Sequence, residues 1–85
     1  MDINDITYED LFSHSREVTL ERLRRRYPKG TRVVLLEMVD PQAPPVGTEG
    51  TVQFVDDAMN IHVTWDTGSG LSAIYGVDRI SKVIF

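Results

Sequence analysis

The side chains that could carry chemistry are few. Two histidines, His14 and His62, are the only imidazoles in the 85-residue chain, and there is no cysteine. A nucleophilic relay needs one of these rings beside an activated serine. No Gly-x-Ser-x-Gly elbow occurs, and the stretch Thr67-Gly68-Ser69-Gly70-Leu71 reads as a hairpin turn. His62 alternates with apolar neighbours, which makes it an outward-facing strand residue, a solvated or cross-strand partner rather than a general base. Asp56, Asp57 and Asn60 share one turn but lack the Asp-x-Asp-x-Asp-Gly spacing and distal glutamate of a calcium loop. Gly47-Thr48-Glu49-Gly50 has the outline of a phosphate-clamping Gly-x-x-Gly loop, yet Glu49 would repel phosphate. Without cysteine there is no thiolate zinc site, no disulfide and no cysteine nucleophile, and a reducing compartment is the natural setting. The chain is therefore expected to be non-enzymatic, with no metal and no cofactor.

Binding chemistry is better represented. Residues 1–21 carry a net charge of −5, residues 22–32 carry +6, and the remainder −5, which gives the overall −4. The central block, Arg22, Arg24, Arg25, Arg26, Lys29 and Arg32, is a basic island in an acidic chain, and small domains with such a flank can track phosphates, with Tyr27 available to stack a base. The same arginines suit the C-terminal end of a helix on dipole grounds alone. Trp65, Asp66 and Tyr75 form a second candidate set, of the aromatic-plus-acid type that cages methylated cations in peptides, although Trp65 shares its alternation with Ile61 and Val63 and so belongs with the core.

These residues must be positioned by one small domain, since 85 residues leave no room for a cofactor domain plus a substrate domain. No Gly or Pro occurs from Thr7 to Tyr27, and Thr7 with Asp10 approximates a capping pair. A break at Ser13-His14-Ser15 separates Leu11 and Phe12 from a main helix over about Ser15 to Arg26, whose face Leu20, Leu23 and Tyr27 docks on the rest of the molecule. Pro28 stops it, because the residue before proline is pushed out of the α region. Beyond Gly30 the period shortens to two. Strands are predicted at Arg32–Met38, Gly50–Asp56, Asn60–Asp66, Leu71–Tyr75 and Lys82–Phe85, with Val33, Leu35, Val52, Val55, Ile61, Val63, Trp65, Leu71, Ile74, Val77, Ile80 and Val83 facing inward. The long turn at residues 40–47 is stiffened by three prolines, and the turns at 56–60 and 66–70 suit hairpins. Residues 1–27 thus read as a helical segment and 28–85 as an SH3-like five-stranded antiparallel barrel, closure being how so few strands avoid exposed edges.

The stretches YPKGTRVVLLEMVDPQAPPVGTEGTVQFVDD, IHVTWDTGSGL and GVD resemble the uncharacterised family called domain of unknown function 4314, over Tyr27 to about Asp78. The resemblance implies an SH3-like barrel and a bacterial, phage or mobile-element origin; it brings no activity and no site residues. With no apolar run near the roughly 20 residues of a membrane span and an acidic start, a cytoplasmic location is expected. The expected partner is another protein, the chain acting as an adaptor module, and nucleic acid held by the Arg22–Arg32 cluster is the alternative.

Overall fold

The computed structural model describes residues 15–84, one helix and five strands. The expected Thr7–Asp10 cap, the Leu11 and Phe12 stripe, the break at Ser13 and His14, and Phe85 lie outside the described residues.

Helix α1 spans Ser15–Arg26, with Glu17 in its first turn and Arg24, Arg25 and Arg26 in its last, both signs matched to the helix dipole. Tyr27 N–H still donates to the Leu23 carbonyl at 2.9 Å, and then Pro28 ends the helix. Gly30, at φ +93°, reverses the chain, and its N–H donates to the Val52 carbonyl, so the exit of α1 is fastened to the sheet. Leu23 and Tyr27 are buried in the core and Leu20 packs against it, so the docking face is the one the spacing of Leu20, Leu23 and Tyr27 defines.

The strands are β1 (Arg32–Glu37), β2 (Glu49–Val55), β3 (Asn60–Trp65), β4 (Ala73–Ile74) and β5 (Arg79–Lys82). All pair antiparallel in one sheet of order β4-β3-β2-β1-β5. The sheet is open: β4 and β5 are its two edges and do not pair, so the expected backbone closure is not made. Two irregularities tune its faces. In β2 the register slips between Val52 and Phe54, so Gln53 is an extra residue, and both Val52 and Val55 reach the interior although they are three apart. In β1 a second slip between Leu35 and Glu37 leaves Leu36 exposed.

The core is Leu23, Tyr27, Val33, Leu35, Val52, Val55, Ile61, Val63, Trp65 and Ala73. The seven inward residues expected from β1 to β3 are all there. Beyond β3 the structure departs from expectation. Ala73, not Ile74, takes the inward place on β4, and Ile74 and Val77 are exposed. The fifth strand lies at Arg79–Lys82 rather than Lys82–Phe85, because pairing with β1 sets Ile80 opposite Leu35 and turns it toward the core. Among the described residues, no helix is long and apolar enough to cross a membrane.

Candidate functional site

Arg24, Arg25 and Arg32 of the basic island are engaged within the fold. The Arg24 Nε–H donates to the Val55 carbonyl at 3.1 Å and its Nη2 to Asp57 Oδ1 at 2.7 Å, which ties α1 to the β2–β3 turn. Arg25 is paired with Glu21 one helical turn back. Arg32 grips Asp66 with both Nη atoms, at 2.9 and 2.6 Å, and also reaches Thr51 Oγ1 and Glu49. The Asp66 bond holds the Arg32 guanidinium further above its ordinary pKa, and the same contact lowers that of the Asp66 carboxyl. Arg22 is half-buried and Lys29 exposed. Tyr27, 8% exposed, is a core residue with no face left for a stacked base.

The aromatic set is likewise dispersed. Trp65, 1% exposed, donates its indole N–H to the Leu71 carbonyl at 2.8 Å, Asp66 is held by Arg32, and Tyr75 stands half-exposed elsewhere.

Tyr75 borders a groove of about 340 Å³ between the end of α1 and the two sheet edges. Its apolar walls are Leu23, Leu36, Ile61, Ala73, Ile74 and Ile80, and Tyr27 lies at its side. Arg26 and Arg79 rim it with Asp78. The Arg26 guanidinium sits 5.9 Å and the Lys82 ammonium 5.7 Å from the centre of the Tyr27 ring, within cation–π range. Asp78 is partly committed, its Oδ2 accepting the Ile74 N–H at 2.8 Å. Among the described residues, Arg26, Lys29, Arg79 and Lys82 meet no carboxylate, and three of these four stand around Tyr27. Cations that meet no carboxylate among the described residues thus stand beside an apolar recess.

A second constellation was not anticipated by motif. On the outer face of the β2–β3 hairpin, His62 Nε2 lies 2.8 Å from Asp56 Oδ2, and Ser72 Oγ lies 3.1 Å from His62 Nδ1. With the ring proton on Nε2, the imidazole donates to Asp56 and accepts from the Ser72 hydroxyl, the order of a serine–histidine–aspartate relay. The surroundings point to structure. Asp56 also accepts from the backbone N–H of Ala58 and Asn60 and from Asn60 Nδ2, so its carboxylate is the hub of the turn. These bonds, the one from His62 first, lower its pKa to about 2. Phe54 stacks on the imidazole with centroids 4.2 Å apart, and none of the three residues lines the groove. The only sequence signal was the outward phase of His62 above an aspartate-rich turn; Ser72 arrives from the connection just before β4 and leaves none. Among the described residues, no cluster of three or more His, Asp or Glu side chains is arranged to hold a metal ion.

Fold and groove together define a small domain built on one open five-stranded β-sheet, with a helix seated in its core and an apolar recess at the end of that helix. Residues 16–83 match the family described as domain of unknown function (DUF4314), and the chain belongs to that family. The match extends beyond the Tyr27–Asp78 stretch in which the resemblance is visible by eye, and takes in almost all of α1. No curated protein and no solved structure matches the chain.

Proposed function

We propose that the protein is a non-enzymatic protein-interaction module, an adaptor of bacterial, phage or mobile-element origin that works in the cytoplasm. In this reading the sheet is an SH3-like small barrel whose seam between β4 and β5 is filled by Leu23 and Tyr27 of α1 instead of by backbone pairing. The observation that carries the reading is the groove at that seam: its walls are mainly aliphatic with Tyr27 and Tyr75 beside them, its rim carries Arg26 and Arg79 with Asp78, and the Asp56–His62–Ser72 network lies outside it. A recess of a few hundred Å³ with a small number of placed charges accommodates side chains of a partner. Nucleic acid, the alternative, loses support from the engagement of Arg24, Arg25 and Arg32 with carboxylates, which leaves fewer cations to release counterions.

Two parallel measurements test the reading. Selection from a displayed peptide library should enrich ligands whose binding to the purified protein is saturable. Fluorescence anisotropy with labelled single- and double-stranded oligonucleotides, at about 50 and 200 mM salt, should show no association at the lower salt. Oligonucleotide binding that weakens steeply with salt and disappears when Arg24, Arg25 and Arg26 become Ser would replace this reading with the alternative.

A further inference from the structure

The two edges of the sheet are finished differently. At β4 the outward groups of Ile74 are consumed by its own turn: the Asp78 carboxylate accepts its N–H at 2.8 Å, and its carbonyl accepts the N–H groups of Val77 and Asp78 at 3.0 and 2.9 Å. That edge cannot receive another strand. At β5, Val83 N–H donates to the Arg32 carbonyl, and the antiparallel register continues through Lys82 opposite Val33 and Ser81 opposite Val34. Hydrogen-bonded and non-bonded pairs alternate in such a ladder, so Ser81 and Val83 face β1 while the N–H groups of Ile80 and Lys82 face away from it. Among the described residues, no strand lies there to receive them. Arg79, Ile80 and Ser81 also line the groove, so the unfilled ladder and the apolar recess adjoin.

Resting on the interaction-module reading above, we propose that β5 takes up an extended acidic peptide segment of a partner protein as a sixth strand. The segment's alternate apolar side chains enter the recess walled by Leu36, Ile74 and Ile80, and its carboxylates meet Arg26, Arg79 and Lys82. Strand addition of this kind draws affinity from main-chain hydrogen bonds and specificity from alternate side-chain positions. Charge selects the occupant. A second copy pairing through β5 would bring Arg79 and Lys82 against their own counterparts, and like charges across a ladder are destabilising. An acidic strand instead neutralises cations that meet no carboxylate among the described residues. The outward N–H groups of a strand edge are matched in register by a peptide backbone and not by a nucleic acid.

The test uses amide NMR of the full chain, titrated with an octapeptide alternating Val and Glu, its Val and Lys counterpart, and an oligothymidine. The expected result is saturable shifts of the amides of Tyr27, Ala73–Gly76 and Ile80–Lys82 with the acidic peptide only. Replacing both Arg79 and Lys82 by Glu should weaken binding at least tenfold. Lys82→Pro removes the outward N–H without touching the ladder to β1, as proline is tolerated on strand edges. It should weaken binding several-fold beyond Lys82→Ala, and thermal melts of both variants establish that each is folded. Should Lys82→Pro prove unfolded, the wild-type shift map and the Arg79→Glu variant alone decide the matter. Equal response to both peptides, shifts confined to other surfaces, shifts at β5 caused by the oligothymidine, or concentration-dependent pairing of the free protein through β5 would each overturn the proposal. Display-selected peptides that bind away from β5 would overturn it while leaving the module reading intact; failure of every selected peptide to bind would remove both.

Discussion

Gly50 is a glycine for reasons of space, not of backbone conformation. It sits buried in β2 between Val33 of β1 and Trp65 of β3. A Cβ at this position would lie 2.6 Å from Val63 Cγ1, 2.8 Å from Trp65 Cε3 and 2.9 Å from the Thr64 carbonyl oxygen. Non-bonded carbons settle at about 3.5–4.0 Å, so Val63 and Trp65 would each have to retreat by roughly 1 Å. Neither has room, being 2% and 1% exposed, and the Thr64 oxygen belongs to the backbone of the sheet. Forcing a methylene into a filled core costs about 1–3 kcal/mol. The stiffer unfolded chain of the alanine variant offsets about 0.4–1 kcal/mol of this. Gly50→Ala should therefore destabilise by about 1–2 kcal/mol, a fall in Tm of roughly 5–15 °C for a domain of this size. Trp65, the sole tryptophan, reports unfolding in urea by fluorescence. Gly70→Ala is the control: nothing lies within 4 Å of its Cβ and its φ is not positive, so its midpoint should match or slightly exceed that of the wild type. Pairing Gly50→Ala with Val63→Ala should restore part of the loss, a coupling that a double-mutant cycle isolates. A Gly50→Ala protein with an unchanged urea midpoint and slope would refute the close-approach argument.

Leu23→Ala, which removes the helix's buried leucine, should cost about 2–4 kcal/mol by the same fluorescence measurement, whereas a loss below about 0.5 kcal/mol would mean that α1 is not part of the core. Asp56 and Asp66 have folded-state pKa values below the roughly 3.9 of an unfolded aspartate, so the stability they contribute is complete above about pH 4 and is lost as pH falls through the folded values, near 2 for Asp56. Acid titrations of Tm should accordingly fall less steeply below pH 4 for Asp56→Asn than for the wild type; identical profiles would contradict the assignment. A fluorophosphonate probe should leave Ser72 unlabelled, and labelling that depends on His62 would turn the Asp56–His62–Ser72 network from a turn clamp into a reactive relay.

Local pattern was legible wherever burial on one face imposed it. Ile61, Val63 and Trp65 of β3 could be read directly, as could the Leu20, Leu23 and Tyr27 stripe, because each phase is set by one continuous buried surface. The last two strands were harder. Arg79–Lys82 carries a single inward aliphatic, and its choice over Lys82–Phe85 is made by pairing with β1, a long-range event that leaves no periodicity in the segment itself. Ile74 and Val77 look like core residues, but the two-residue strand β4 turns Ala73 inward and is capped at Ile74 by the following turn. The basic island was visible as composition, yet its partners were not: Arg32 is held by Asp66, 34 residues on, and Arg24 by Asp57, 33 residues on. The groove is drawn from α1, β1, β3, β4 and β5 together, so it exists only once strand order is fixed.

That strand order also governs how the molecule can assemble. The β2–β3 hairpin closes over a short turn, but β1 waits for a neighbour drawn from the far end of the chain. Ladders of such high sequence separation form late, after the entropic cost of closing the intervening loop has been met. On a ribosome, Val33 and Leu35 therefore keep one flank uncovered until residues 79–82 have left the exit tunnel, and a nascent chain paused before that point exposes a sticky, half-built β-surface to chaperones.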